Sequence, residues 1–175
     1  ALQAEGQAEE AAGPAPLYWK IDLPDVSKVI SQKGILPASF APVISPHATL
    51  LYLGGHDAND LAAQRVNLSL EQFKAMRETL QALDGQEVEV RMTEIIIEEN
   101  VACAVVSLPP TVPCANKVPH VTLGTRRGIP PRYANEVLED VLGGRREGVT
   151  SIQLPVPRPM RGRVRLEHSA PGGGS

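Results

Sequence analysis

The sequence carries one short apolar stretch twice, and each copy is interrupted by a histidine and a threonine. The copies are PHATL at residues 46–50 and PHVTL at residues 119–123, and their histidines stand 73 residues apart. Short apolar runs bounded by turn residues indicate strands. Because a strand alternates its faces with a period of two, the histidine and the threonine of each copy point to the same side. The repeat therefore predicts two strands, each with a small polar face.

The residue types on these faces point to a particular chemistry. If the two strands face one another across a groove, one imidazole can take a proton from water while the other protonates a leaving oxygen. Threonine hydroxyls can donate hydrogen bonds to the non-bridging oxygens of a phosphate. We therefore expect His47 and His120 to be catalytic, and Thr49 and Thr122 to bind substrate, in phosphodiester cleavage that needs no metal.

The predicted elements around the two copies follow a similar order. Each half runs from a strand or hairpin to the PHxTL strand and then to an amphipathic helix, and the first of these helices opens with a capping box of Ser69 and Gln72. Residues 86–108 read as a hairpin that turns at residues 98–100. This order predicts a bilobal, duplicated α+β fold, in which two antiparallel sheets face a central groove and the helices lie outside.

Composition predicts the domain boundaries. Residues 1–16 are rich in Ala, Glu, Gln and Gly, and residues 169–175 are rich in Gly, which is typical of flexible linkers or tails. A chain of 175 residues with 42% apolar residues can bury the core of one domain. We expect residues 17–168 to form that domain, as a monomeric unit of a longer chain.

Charge is unevenly distributed along the chain. Residues 1–100 contain 7 Lys and Arg against 15 Asp and Glu, a net charge of −8, whereas residues 101–175 contain 10 against 5, a net charge of +5. This asymmetry favours a polyanionic partner near the C-terminal half. Arg126 and Arg127 directly follow the second motif, so we expect them to bind flanking phosphates of the substrate.

Several residue patterns argue against other classes of protein. The two cysteines have no zinc-binding spacing, and no two histidines stand four residues apart, so we expect no metal and no cofactor. No apolar run approaches the ~20 residues that span a bilayer, so we expect no membrane span. Free thiols without a secretory signal indicate a reducing compartment, and we expect a cytoplasmic or nuclear location.

The two motifs resemble the paired His-x-Thr motifs of the 2H phosphoesterase superfamily. The second copy, preceded by the strand VACAVVSLPP, is similar to the 2',3'-cyclic phosphodiesterase domain of plant- and fungal-type tRNA ligases and to 2',3'-cyclic-nucleotide 3'-phosphodiesterase. The resemblance implies a bilobal fold with the four motif residues in a central groove. It also implies hydrolysis of 2',3'-cyclic phosphates to 2'-phosphates, with RNA ends or cyclic nucleotides as partners.

Two other functions remain open at this stage. One is a catalytically silent module that binds RNA ends, although binding alone does not need two histidines. The other is a 2'-5' oligonucleotide phosphodiesterase or ligase of the same superfamily. For the enzyme, we expect His120 to be the base and His47 the acid, because the positive field of the arginines after the second motif lowers the pKa of a nearby imidazole.

Overall fold

The computed structural model describes residues 14–32, 34–130 and 132–169, and its elements are numbered here in chain order. The strands are β1 (Pro16–Asp22), β2 (Ala41–Pro42), β3 (His47–Tyr52), β4 (Glu87–Ile97), β5 (Val101–Ser107), β6 (His120–Thr125) and β7 (Thr150–His168). The helices are α1 (Val26–Ile30), α2 (Asn59–Arg65), α3 (Leu70–Leu83) and α4 (Tyr133–Leu142).

Six of these strands close into a single antiparallel barrel. Their order is β6-β3-β1-β7-β4-β5, and β5 pairs back onto β6 to complete the ring. The short strand β2 pairs with the far end of β6, beyond the point where β3 joins it. The pairing of β3 with β6 rests on one pair of Cα partners, Ala48 and Val121.

The expected bilobal, duplicated α+β fold with two facing sheets is wrong, because the strands form one closed barrel with few helices. The long strand β7 is one cause, since its 19 residues pair with β1 at one end and with β4 along most of their length. The direct pairing of β3 with β6 is another, because it makes the two motif strands neighbours. The similar order of elements in the two halves does not reveal which strands pair.

Most of the apolar side chains belong to one cluster that covers one face of the motif strands. Ile21 of β1, Ala48 of β3 and Val121 of β6 all belong to it, and each is at most 1% exposed. Helix α3 adds Phe73 and Leu80, which are completely buried. The alternation of a strand then directs the intervening polar residues of β1, β3 and β6 to the other face.

Local sequence signals predicted several elements correctly. The capping box is present, since Ser69 accepts from the Gln72 backbone N–H at 3.1 Å and Gln72 accepts from the Ser69 N–H at 3.0 Å. The hairpin of β4 and β5 turns at residues 98–100 as predicted. Residues 150–168 form one continuous strand, β7, and α2 was not foreseen. None of the helices in the described ranges is long and apolar enough to cross a membrane.

The chain ends only partly fall within the structure. Residues 1–13 and 170–175 lie outside the described residues, so the flexible segments expected at 1–16 and 169–175 stay predictions. The two ends of the described chain lie side by side. The Ala15 N–H donates to the Ser169 hydroxyl at 2.9 Å, and the Ser169 N–H donates to the Ala15 carbonyl at 2.8 Å. The domain expected at residues 17–168 therefore begins and ends on neighbouring strands.

Candidate active site

The structure places the four motif side chains on one face of two neighbouring strands. Ala48 and Val121 are partners in the antiparallel pair and are buried on the opposite face. One position to one side of this pair, His47 lies opposite Thr122. One position to the other side, Thr49 lies opposite His120. The two imidazoles are thus diagonal neighbours, with their Cβ atoms roughly 7 Å apart, which leaves room for a phosphate between the rings.

The proline before each histidine has a structural role that explains its repetition. Nδ1 of His47 lies 3.1 Å from the carbonyl of Ser45, and Nδ1 of His120 lies 2.8 Å from the carbonyl of Val118. In both cases the proline stands between the carbonyl and the ring, and its restricted φ helps to hold the two in place. Because a carbonyl only accepts, Nδ1 carries the proton of each neutral ring, and Nε2 is then unprotonated and can accept one.

The two histidines differ in their surroundings. His120 is 8% exposed, whereas His47 is half-buried. Burial lowers the pKa of His120, the hydrogen bond to the Val118 carbonyl partly offsets this, and the nearby His47 lowers it further. The expected lowering by the arginines that follow the motif is not among these causes. The surroundings of His120 therefore favour its neutral form.

A stability measurement can test the lowered pKa of His120. The unfolded chain takes up a proton near pH 6.5 and the folded protein only at lower pH, so the free energy of unfolding should fall as the pH drops below ~6.5. His120→Asn keeps a donor near the position of Nδ1 but cannot titrate, so this part of the pH dependence should disappear. Urea unfolding of both proteins between pH 8 and pH 5 measures it. Parallel curves would contradict the lowered pKa.

Strand β1 adds three polar residues that sequence reasoning missed. The Tyr18 ring stacks on the His47 ring, with centroids 5.3 Å apart and an interplanar angle of 21°. Lys20 is the partner of Thr49 in the sheet, and Asp22 is the partner of His47. A sequence signal for them existed, since the letters YWKID alternate polar residues with the buried Trp19 and Ile21.

Lys20 brings a charge to the edge of the site. Its ammonium lies 2.8 Å from Asp22 and 2.6 Å from Glu167, and the residue is only 9% exposed. Burial alone would lower the pKa of Lys20, but the hydrogen bonds to these two carboxylates raise it. Lys20 therefore stays protonated beside Thr49, and two carboxylates share its charge.

The loop between β5 and β6 covers the backbone of the first motif strand. The Asn116 side chain donates to the carbonyl of Thr49 at 3.2 Å, and the Ala115 N–H donates to the carbonyl of Leu50 at 2.8 Å. Cys114 lies in the same loop, and burial raises the pKa of its thiol to about 11, so it is not poised as a nucleophile. The loop that leads into β6 is thus hydrogen-bonded to the backbone of β3.

Arg126 and Arg127 lie beyond the other end of β6. Both are exposed, and Arg126 donates from Nε to the carbonyl of Glu99 at 2.9 Å. Arg126 stands six positions after His120, which is ~20 Å of extended chain at ~3.3 Å per residue. They are therefore set apart from His120 along the strand, and their contact with flanking phosphates stays a prediction.

The described ranges contain no group of three or more His, Cys, Asp or Glu side chains placed to hold a metal ion. This finding concerns ligands supplied by the protein, and the expected absence of a metal or cofactor stays a prediction. The chemistry of the site is consequently argued from its imidazoles, hydroxyls and nearby charges.

The chain is similar to a known family in sequence and to a solved structure in fold. Residues 46–167 match the model of a family described as the fungal tRNA ligase phosphodiesterase domain, a range that includes both motifs. A crystal structure of a fungal RNA kinase shares the fold, with a TM-score of 0.60 and 14% sequence identity. That match covers 86% of this chain and 45% of the other, so this chain spans less than half of that structure. A search of curated proteins found no match.

Proposed function

The chain belongs to the fungal tRNA ligase phosphodiesterase domain family, and on this basis we propose that it hydrolyses 2',3'-cyclic phosphates on RNA ends to 2'-phosphates. Membership in this family supports RNA-end processing as the broad role. The fungal RNA kinase structure is longer than this chain, which supports a second proposal, that the chain acts as one domain of a longer protein.

The observation that carries the proposal is the diagonal pair of imidazoles on adjacent strands. Each ring donates from Nδ1 to a backbone carbonyl, which leaves Nε2 as the atom that can exchange a proton with the substrate. A phosphate between the rings would have one proton acceptor and one proton donor on opposite sides, which in-line displacement at phosphorus requires. Thr49 and Thr122 stand on the same face, and their hydroxyls can donate to the non-bridging oxygens.

The proposed reaction assigns one proton transfer to each histidine. Nε2 of His120, neutral because its pKa is lowered, takes a proton from water as the water oxygen attacks the phosphorus. The bond from phosphorus to the 3'-oxygen breaks, and His47, which carries a second proton on Nε2, donates it to that oxygen. The product is a 2'-phosphate with a free 3'-hydroxyl, and proton exchange with solvent restores both rings.

A substrate panel tests this function directly. We expect hydrolysis of a cyclic-phosphate-ended RNA and of 2',3'-cyclic AMP in the presence of EDTA, because the histidines and threonines already supply the proton transfers and the charge stabilisation. Phosphorus NMR should identify a 2'-phosphate. A 3'-phosphate, or activity that EDTA abolishes and zinc or magnesium restores, would contradict the mechanism.

The same panel, with a 2'-5' oligoadenylate as a third substrate, separates the other two functions. Cleavage of a 2'-5' oligoadenylate without cleavage of either cyclic phosphate would indicate a 2'-5' phosphodiesterase. Binding of the RNA end with no turnover of any of the three substrates would indicate a silent binding module. Either result would replace the proposed function.

A further inference from the structure

A groove opens on the sheet immediately beside His47, outside the four motif residues. Its volume is about 570 Å³, and strands β1 and β7 form much of its lining. Two lining residues connect it to the site: Asp22 is the partner of His47 in the sheet, and the carbonyl of Ser45 accepts from the His47 ring. A molecule held in this groove would therefore extend to the reacting phosphate.

The groove has a row of arginines that the proposed mechanism does not use. Arg161, Arg163 and Arg165 occupy alternate positions of β7 and line the groove. Alternate residues of a strand share a face and recur about every 6.6 Å, so each guanidinium can meet a different phosphate. These three arginines contribute to the positive charge of residues 101–175. They are different residues from Arg126 and Arg127, which the sequence predicted to bind phosphates.

The groove has a positive formal charge, whereas the chain as a whole has a negative one. Four cationic side chains and two carboxylates line it, a formal charge of +2, whereas the whole chain carries −3. The cations are Lys20, Arg161, Arg163 and Arg165, and the carboxylates are Asp22 and Glu87. When Glu167 is added, because it pairs with Lys20, the local charge is still +1. A basic groove on an acidic protein favours a polyanion at this place.

The arginines keep hydrogen-bond donors available for such a partner. Arg161 lies 3.1 Å from Glu87 and its side chain is 83% exposed, and Arg165 lies 3.7 Å from Asp22 and is 56% exposed. A guanidinium has five N–H donors in a planar fork, of which one carboxylate engages at most two. The remaining donors of these exposed side chains can bind phosphate oxygens.

We infer that this groove binds the sugar-phosphate backbone of the nucleotides that precede the cyclic phosphate, so the preferred substrate is an RNA strand and not a mononucleotide. The inference rests on the proposed function, which places the cyclic end between the two imidazoles. Because the lining offers charges to phosphates and no stacked aromatic platform, recognition should be independent of base sequence.

The test compares a groove variant with a matched control. R161Q/R165Q removes two exposed cations from the groove, and K74Q/R145Q removes two exposed cations from α3 and the segment after α4, which do not line it. kcat/KM is measured on a cyclic-phosphate-ended RNA of about ten nucleotides and on 2',3'-cyclic AMP. We expect the ratio of RNA to mononucleotide to fall at least about tenfold in the groove variant only, the loss of one charge-assisted hydrogen bond or more.

The salt dependence of the affinity for RNA gives a second readout on the same proteins. For single strands the logarithm of the affinity changes with the logarithm of salt by about 0.7 per phosphate contact, so losing two contacts should reduce the slope by about 1.4. An unchanged ratio and slope in R161Q/R165Q would overturn the inference. The same conclusion would follow if R126Q/R127Q lowered the ratio and the groove variant did not.

A binding measurement separates this inference from the proposed function. Fluorescence anisotropy of a labelled RNA with a 3'-hydroxyl end reports binding without any hydrolysis. Groove-dependent binding by a protein that cleaves no cyclic phosphate would support the groove and refute the proposed function. The protein could instead cleave both substrates without preferring RNA, and R161Q/R165Q could leave RNA binding unchanged. That result would support the proposed function and refute RNA binding by the groove.

Discussion

His47→Asn and His120→Asn are each expected to lower the turnover of a 2',3'-cyclic phosphate by ~10²–10⁴-fold, the usual contribution of general acid or base catalysis. Asparagine retains a donor for the carbonyl that each Nδ1 binds, of Ser45 or Val118, but it has no atom that replaces Nε2. The loss should therefore fall on proton transfer and not on the position of the strand. Single-turnover kinetics on the cyclic-phosphate-ended RNA measures it.

A substrate with a better leaving group distinguishes the roles of the two histidines. If His47 protonates the 3'-oxygen, a substrate whose leaving oxygen needs no proton should restore much of the activity of His47→Asn and little of His120→Asn. The opposite pattern would reverse the assignment. Turnover near that of the wild type in either variant would show that the pair is not catalytic.

Ile21→Ala is expected to lower the free energy of unfolding by about 2–5 kcal/mol, the range for removing a fully buried aliphatic side chain. Ile21 is completely buried, pairs with Ala48 and Val164, and packs where Gly162 has no side chain. A cavity here would lie under β1, between the motif strand β3 and the arginine strand β7. Urea denaturation with a constant m-value measures the loss.

Two comparisons sharpen this prediction. Ile21→Val removes one carbon atom and should cost only about 0.5–1.5 kcal/mol. His47→Asn changes a half-buried residue outside the apolar cluster and should cost less than Ile21→Ala. A cost below about 1 kcal/mol for Ile21→Ala would mean that the contact between β1 and its neighbours contributes little to the barrel.

Features encoded within a few neighbouring residues were predicted from the sequence. The capping box at Ser69 depends on residues three apart, and the hairpin of β4 and β5 depends on two adjacent apolar runs and the polar turn between them. The two PHxTL copies predicted motif strands, and both are strands, β3 and β6. Family membership agrees with the resemblance drawn from those copies.

The closure of the barrel and the surroundings of the site depended on contacts between distant residues. The pairing of Ala48 with Val121 joins strands 73 residues apart, and an order of elements contains no information about such a pairing. The same holds for Lys20, which reaches Glu167 only because β1 pairs with β7. The burial that lowers the pKa of His120 also arises only in the folded barrel.

The sequence by itself determined which side chains carry the proposed chemistry, because alternation along a strand is a local property of the backbone. Only the tertiary structure decided how the two motif strands meet, that burial lowers the pKa of His120, and that three arginines of β7 line a groove beside His47. The physical reason is that strand pairing, desolvation and cross-strand charge depend on residues far apart in the chain, which no short stretch of sequence specifies.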